Sequence, residues 1–208
     1  MTCTFVFDLD STLIQIETID ELARLCGRAE ECSEITRRAM NGELDFSAAL
    51  RMRVALLNGL DASQAWSQLF QSFKYCNGAE ELIRKLIEGQ YKVIIVSGGF
   101  VPMARHVANH LCIRDFYANE LEQANGIFTG VCEQLVDAKF KERIVREEQA
   151  KGFRVVAVGD GANDLLMLKA ADISIASPLA KAIVIEACHH HVTCLSEILD
   201  FITTSSAF

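Results

Sequence analysis

Short apolar runs alternate with amphipathic stretches along most of this chain. Residues 4–7 read as a buried strand that stops at Asp8, and runs of the same kind lie at 92–96 and 154–158. The latter two are rich in β-branched residues and are followed by Ser or Gly; residues 173–176 make a weaker fourth run. Between them the pattern turns helical. Leu82, Ile83, Leu86 and Ile87 recur at helical spacing across 80–88, and 140–150 and 165–171 read the same way. Strands alternating with helices imply an α/β fold, a parallel sheet covered on both faces.

Residues 18–73 break this alternation. They hold no convincing strand, and 19–26, 31–41, 46–57 and 62–73 read as amphipathic helices separated by breaks at Asn41-Gly42 and Asn58-Gly59. A helical block inserted directly after the first strand predicts a cap over the edge of the sheet. The expected division is therefore a core of 1–14 and 75–208 with a helical cap of 15–74. Residues 117–136 carry Asn125-Gly126 between apolar stretches, the signature of a hairpin.

Composition narrows the class. The chain has 208 residues, half of them hydrophobic, with only 2 prolines, so a sizeable core is available and nothing signals disorder. A net charge of −8 and the lack of a Lys/Arg block speak against nucleic-acid binding. No apolar stretch approaches the roughly 20 residues a membrane helix needs, and residues 1–7 lack the basic start of a leader. The 8 cysteines form no Cys-x-x-Cys pair and read as reduced thiols of a cytoplasmic protein. The expected partner is a small molecule; homodimerisation is left open.

Four constellations carry chemistry. Asp8-Leu9-Asp10-Ser11-Thr12 closes the first strand, where open α/β sheets bind ligands. Residues two apart in extended chain face the same way, so Asp8 and Asp10 share the crevice while Leu9 turns inward. Paired carboxylates suit a nucleophile beside a general acid, although a strand ending in a polar turn has the same look. Gly159-Asp160-Gly161-Ala162-Asn163-Asp164 follows the strand at 154–158. With Asp8 and a main-chain carbonyl, its acidic residues make an all-oxygen site fit for Mg²⁺; the spaced pattern of a calcium-binding EF-hand loop is absent, and a capped helix start is the plain alternative. Ser97-Gly98-Gly99-Phe100 follows the strand at 92–96 and offers a hydroxyl and free N–H groups to a phosphate, or is an ordinary turn. Finally, a cation is required where a carboxylate meets a phosphate, and Lys139 and Lys141 both stand ahead of the strand at 154–158.

Together these motifs resemble the haloacid dehalogenase (HAD) superfamily over nearly the whole chain, and within it the phosphoserine-hydrolysing branch. The resemblance implies a Rossmann-like core with a helical cap of the C1 kind after the first strand. It implies Asp8 as nucleophile and Asp10 as general acid and then base. Asp8, the Asp10 carbonyl and Asp160 would hold Mg²⁺, with Asp164 in support. Ser97 and the lysine would bind phosphate, with Gly98 and Asn163 orienting it. The cap segments beginning at Glu17, Ala39 and Leu50 match as well. They imply Glu17 on a substrate ammonium, Arg53 on its carboxylate, and Met40 and Phe46 as pocket walls. Lys141 is the favoured lysine, because Ile144 and Val145 follow it at helical spacing whereas Glu142 and Arg143 follow Lys139.

Two features depart from the pattern. Lys141 precedes Asp160 by only 19 residues (160 − 141), a spacing that resembles a related branch that also transfers phosphate to homoserine. Ser177-Pro178-Leu179-Ala180 differs from the segment usual after the last strand. A phospho-acceptor receiver module would share the strand-end aspartate and Mg²⁺, but would need neither a cap nor Asp10. His189-His190-His191 does not read as a metal site, because adjacent side chains in a strand point to opposite faces.

Overall fold

In the computed structural model, which describes residues 3–40, 43–133 and 135–204, Phe5 and Phe7 point to one side of a sheet and Val6 to the other. All three are fully buried, which is why the first run reads as continuously apolar rather than alternating. The strands are β1 (Cys3–Phe7), β2 (Lys92–Phe100), β3 (Asp115–Ala124), β4 (Ile127–Glu133), β5 (Arg154–Gly159), β6 (Ile173–Ala176) and β7 (His190–His191), in the sheet order β4-β3-β2-β1-β5-β6-β7. Every neighbouring pair is parallel except β3 with β4.

Helices α1 (Thr18–Leu25), α2 (Ala29–Met40), α3 (Phe46–Ala55) and α4 (Ala62–Ser72) make up the inserted block. α5 (Ala79–Glu88) and α6 (Val101–His110) cover one face of the sheet with Leu82, Leu86, Met103 and Val107. α7 (Ala138–Ala150), α8 (Leu165–Ala170) and α9 (Ala182–Ala187) cover the other with Ile144, Val145, Met167 and Val184, and α10 (Ile198–Thr204) closes the described chain. The sequence pattern misses α6, α9, α10 and the two-residue β7; α9 and β7 are too short to show a period. The break at Asn41-Gly42, the helix end at Asn41 and the Met40 side chain lie outside the described residues.

The hairpin forms as expected. Asn125 and Gly126 have φ of 53° and 81°, the left-handed pair that a two-residue turn matching the twist of its strands requires. Its outer strand grips the helical block: Gly59 N–H donates to Phe128 O at 2.9 Å, Phe128 N–H to Leu60 O at 3.0 Å, and Ala62 N–H to Gly126 O at 2.9 Å. Side-chain caps set helix starts on this side of the molecule. Asp45, Asp61 and Asp137 accept from the backbone N–H of Ala48, Gln64 and Phe140, relieving donors a helix cannot satisfy itself.

The sheet order puts β1 between β2 and β5, where the chain winds away in opposite directions. Its carboxyl edge is therefore the crevice in which such sheets hold ligands. The helical block lies over that edge.

Candidate active site

Where β1 ends, the chain makes a tight turn. Leu9 O accepts from the N–H groups of Thr12, Leu13 and Ile14 at 3.2, 2.8 and 3.1 Å, and Ser11 takes φ of 53°. The turn leaves Leu9 fully buried and lets Asp8 and Asp10 face one cavity of about 670 Å³ beneath the helical block.

Asp8 meets the one buried lysine among the described residues. Lys141 Nζ lies 2.8 Å from Asp8 Oδ1 and 2.7 Å from Asp164 Oδ1, and its side chain is 1% exposed. Lys139, two residues earlier on α7, is exposed. Asp164 is committed on both oxygens, since Oδ2 accepts the N–H groups of Asp160 and Gly161 at 3.1 and 3.0 Å. That carboxylate sits so close to β5 that a Cβ on Gly159 would fall 2.7 Å from its Cγ, which excludes any side chain there. Asp160 accepts from Thr12 Oγ1 at 3.2 Å.

Asp8, Asp160 and Asp164 thus converge, with one oxygen of each within 4.8 Å of the others and all three buried. A hard oxygen-only cluster of this kind fits a small divalent cation. Its one lysine leaves it short of positive charge, and Asp8 Oδ1 accepts no well-angled hydrogen bond among the described residues. Burial and then the Asp164 charge, against the opposing pull of Lys141, raise Asp8 to about 7. Burial and then the charge of Asp8 raise Asp160 to about 9. Burial alone would lower the Lys141 pKa, but Asp164 and Asp8 outweigh it and hold the ammonium above its ordinary value.

The Asp10 carboxylate does not join that cluster. Its oxygens accept the Thr18 N–H at 2.9 Å and the Thr18 hydroxyl at 2.7 Å, tying it to the first turn of α1. Burial, then the charge of Glu17, raise it to about 8. Across from it, the Ser97-Gly98-Gly99 bend brings the backbone to within reach of the acid: a Cβ on Gly99 would lie 3.0 Å from Asp10 Oδ2 and 3.0 Å from Ser97 Oγ. Gly98 is pressed by Phe46, whose ring would meet a Cβ there at 3.1 Å, with the Asn163 amide 3.7 Å away.

The cavity wall brings together Glu17, Phe46, Arg53, Ser97, Gly98 and Asn163 from the sequence reading. Glu17 accepts from Ser11 Oγ at 2.8 Å. Arg53 Nε reaches the Ala49 carbonyl at 3.4 Å, one turn back on α3. Asp164 and Lys141 lie behind the wall rather than on it. Thr12, Thr18, Asp20 and Lys181 also belong to the site or its supports and were not singled out from sequence. Thr18 is the first residue of α1, with Glu17 in the cap position, so its hydroxyl is free to turn to Asp10 rather than to cap the helix. His189 to His191 stand elsewhere: the His189 ring accepts the Ser174 N–H at 3.0 Å, and His190 stacks on Phe201.

Residues 4–172 match the model of the haloacid dehalogenase-like hydrolases. The phosphoserine phosphatase of Idiomarina loihiensis is 47% identical over 82% of this chain and 80% of its own length. That of Archaeoglobus fulgidus is 45% identical over 82% of this chain, which spans about half (51%) of that relative. Among solved structures, a phospho-aspartyl intermediate analogue of phosphoserine phosphatase superposes with a TM-score of 0.87 at 37% identity, over 96% of this chain and 98% of that one. A substrate-bound phosphoserine phosphatase complex gives 0.88 at 36% identity, over 97% and 98%.

Proposed function

This chain belongs to the haloacid dehalogenase-like hydrolases, and from that premise we propose that it hydrolyses O-phosphoserine to serine and phosphate through an aspartyl-phosphate on Asp8. One observation carries the reading. A lysine-braced carboxylate and a second buried carboxylate held by Thr18 stand two residues apart on one cavity, whose wall also carries Glu17 and Arg53.

Each residue has a role that its position permits. Asp8 is the nucleophile, its oxygen attacking phosphorus in line with the ester bond. Asp10, neutral before the step, gives its proton to the departing serine oxygen, which is a poor leaving group as an alkoxide. The resulting Asp10 carboxylate then takes a proton from the water that attacks the aspartyl-phosphate. Thr18 holds that carboxylate in place through both changes of charge. Ser97, Gly98 and Asn163 line the phosphate position. Lys141 keeps Asp8 aligned and offsets the approach of a second anion. Glu17 receives the substrate ammonium, and Arg53 its carboxylate. Phe46 supplies apolar wall, and Met40 is assigned the same part from sequence. The helical block, residues 15–74 in this division of the chain, excludes bulk water from the step.

Asp8, Asp160 and the Asp10 carbonyl, supported by Asp164, are the residues that would hold Mg²⁺. Bound there, the ion would supply the charge that ionises Asp8 and screens it from the phosphate. The Asp10 carboxylate, turned toward Thr18, remains the group able to carry a proton. No helix among the described residues is long and apolar enough to cross a membrane. We place the enzyme in the cytoplasm, acting on a free small molecule.

Phosphate release from phosphoserine, phosphothreonine, phosphohomoserine and a chromogenic ester, each with Mg²⁺ and with chelator, tests the reading. Phosphoserine is expected to be the best substrate and chelation to stop turnover. Arg53→Ala is expected to reduce kcat/KM about tenfold on phosphoserine, the worth of one charged contact, and to leave the chromogenic ester nearly unchanged. A preference for the ester over phosphoserine would overturn the assignment.

A further inference from the structure

Between Val96 and Phe100, strand β2 leaves its ladder with β3. Val96 pairs with Tyr117 and Phe100 with Asn119, so three residues of β2 stand opposite Ala118 alone. The excess forms the Ser97-Gly98-Gly99 bend and takes backbone groups off the sheet. The Asn119 side chain, fully buried, fills the gap. Its Nδ2 donates to Gly98 O at 2.8 Å and to Val136 O at 3.4 Å. Its Oδ1 accepts the N–H groups of Leu135 and Val136, each at 2.8 Å. Backbone N–H groups only donate and carbonyls only accept, so the carboxamide can sit only this way round.

A peptide is planar and trans, so the Gly98 carbonyl and the Gly99 N–H point in opposite directions. With the carbonyl anchored on Asn119, the Gly99 N–H is aimed away from the sheet toward the cavity. There it donates to Ser97 Oγ at 2.9 Å, beside the Asp10 carboxylate. A Gly-Gly peptide has little intrinsic preference for either flip, because neither residue carries a Cβ. Something outside the bend must choose, and the same carboxamide also fixes Leu135 and Val136, which lead into the helix bearing Lys141.

The geometry points to Asn119 as a positioning residue that locks the Gly98–Gly99 peptide with its N–H turned into the site, where it donates to the phosphoryl group in the transition state. This rests on the phosphatase reading and deepens it.

Asn119→Asp is the informative substitution, because it keeps the acceptor for Leu135 and Val136 and replaces the donor, which serves Gly98 at 2.8 Å and more distantly Val136 at 3.4 Å, with a repelling oxygen. Turnover of phosphoserine at saturating Mg²⁺, scaled to the folded fraction, is expected to fall about 10–100-fold in kcat with KM nearly unchanged, the pattern of losing one oriented donor. In the wild-type protein labelled with ¹⁵N-glycine, inorganic phosphate with Mg²⁺ is expected to move the Gly99 amide resonance saturably. In Asn119→Asp that movement is expected to vanish. Wild-type kcat in the variant, or a wild-type Gly99 resonance indifferent to phosphate, overturns the inference. The wild-type titration needs no turnover, and a Gly99 resonance indifferent to phosphate overturns the inference even where the variant does not fold; there, Asn119→Ser takes the variant's place in both assays. Failure of the wild-type protein to release phosphate from phosphoserine would instead overturn the reading beneath.

Discussion

Helix α7 carries a buried ionic cluster near each end, and the two are built with opposite balances of charge. In its first turns, Lys141 faces Asp8 and Asp164, with Asp160 close by, so one cation meets three carboxylates. Two turns further, Glu148 receives Lys151 at 2.6 Å, Lys92 at 2.9 Å and the Thr4 hydroxyl at 3.2 Å, so one carboxylate meets two cations. Both stand against the helix dipole, which favours acids at the N-terminus and bases at the C-terminus. Tertiary partners, not the helix, justify each.

The surroundings differ in a way that separates structure from function. The lysines around Glu148 have side chains 36% and 54% exposed, so solvent shares their charge, and the cluster is satisfied. Burial would raise the Glu148 pKa, but the two ammonium groups outweigh it and hold it below the ordinary value. The inner cluster is buried at the floor of the cavity and holds more carboxylates than cations, a costly state for a fold that uses no metal ion.

Four experiments break or sharpen this contrast. Asp8→Asn is expected to lose at least about a thousandfold of turnover, as removal of a nucleophile does. Because it also removes a surplus charge, its melting temperature without metal at pH 8 is expected to be no lower than wild type. Retained activity would reduce the inner cluster to a structural one. Lys141→Met is expected to cost about 10²–10³ in kcat and roughly 3 kcal/mol of stability, leaving two buried carboxylates without their cation. Lys139→Ala should be silent in both assays, and the reverse order would move the role to the exposed lysine.

A third experiment follows melting temperature against pH, with chelator and with Mg²⁺. Burial and neighbouring carboxylates push Asp8, Asp10 and Asp160 up from an ordinary value of 3.8 to about 7, about 8 and about 9. The metal-free fold therefore holds protons that the unfolded chain releases. Their stabilising contribution is whole below about pH 4 and drains away as pH rises toward 9. Added Mg²⁺ is expected to stabilise most at the alkaline end, and a pH-independent effect would place the ion elsewhere. The smallest effect belongs to Glu148→Gln, expected to cost about 1 kcal/mol in denaturant and to leave kcat unchanged. Here the sign reverses. The contribution of Glu148 is present above its ordinary value of 4.5 and is lost as pH falls through the lower folded value.

The strands other than β7, the four inserted helices and the hairpin were legible from local pattern. Apolar spacing reports burial directly, and Asn125-Gly126 has few other uses. The acidic motifs were legible as residue types at strand ends. Thr18, Asn119 and Thr12 were not, because nothing in the local pattern says which distant carboxylate or carbonyl a lone hydroxyl or amide will meet. The direction of the Asp10 carboxylate was equally hidden. Asp8 and Asp10 share one crevice as spacing requires, yet one faces Lys141 and the other faces Thr18.

By itself the sequence determined which segments could be buried strands and which carboxylates would stand at their ends, because side-chain periodicity follows from backbone geometry. Only the tertiary structure decided which carboxylate meets Lys141 and which meets Thr18, which lysine loses its water, and which way the Gly98–Gly99 peptide turns. Those outcomes depend on charges and donors drawn from distant parts of the chain, whose energies are set by burial that no local pattern records.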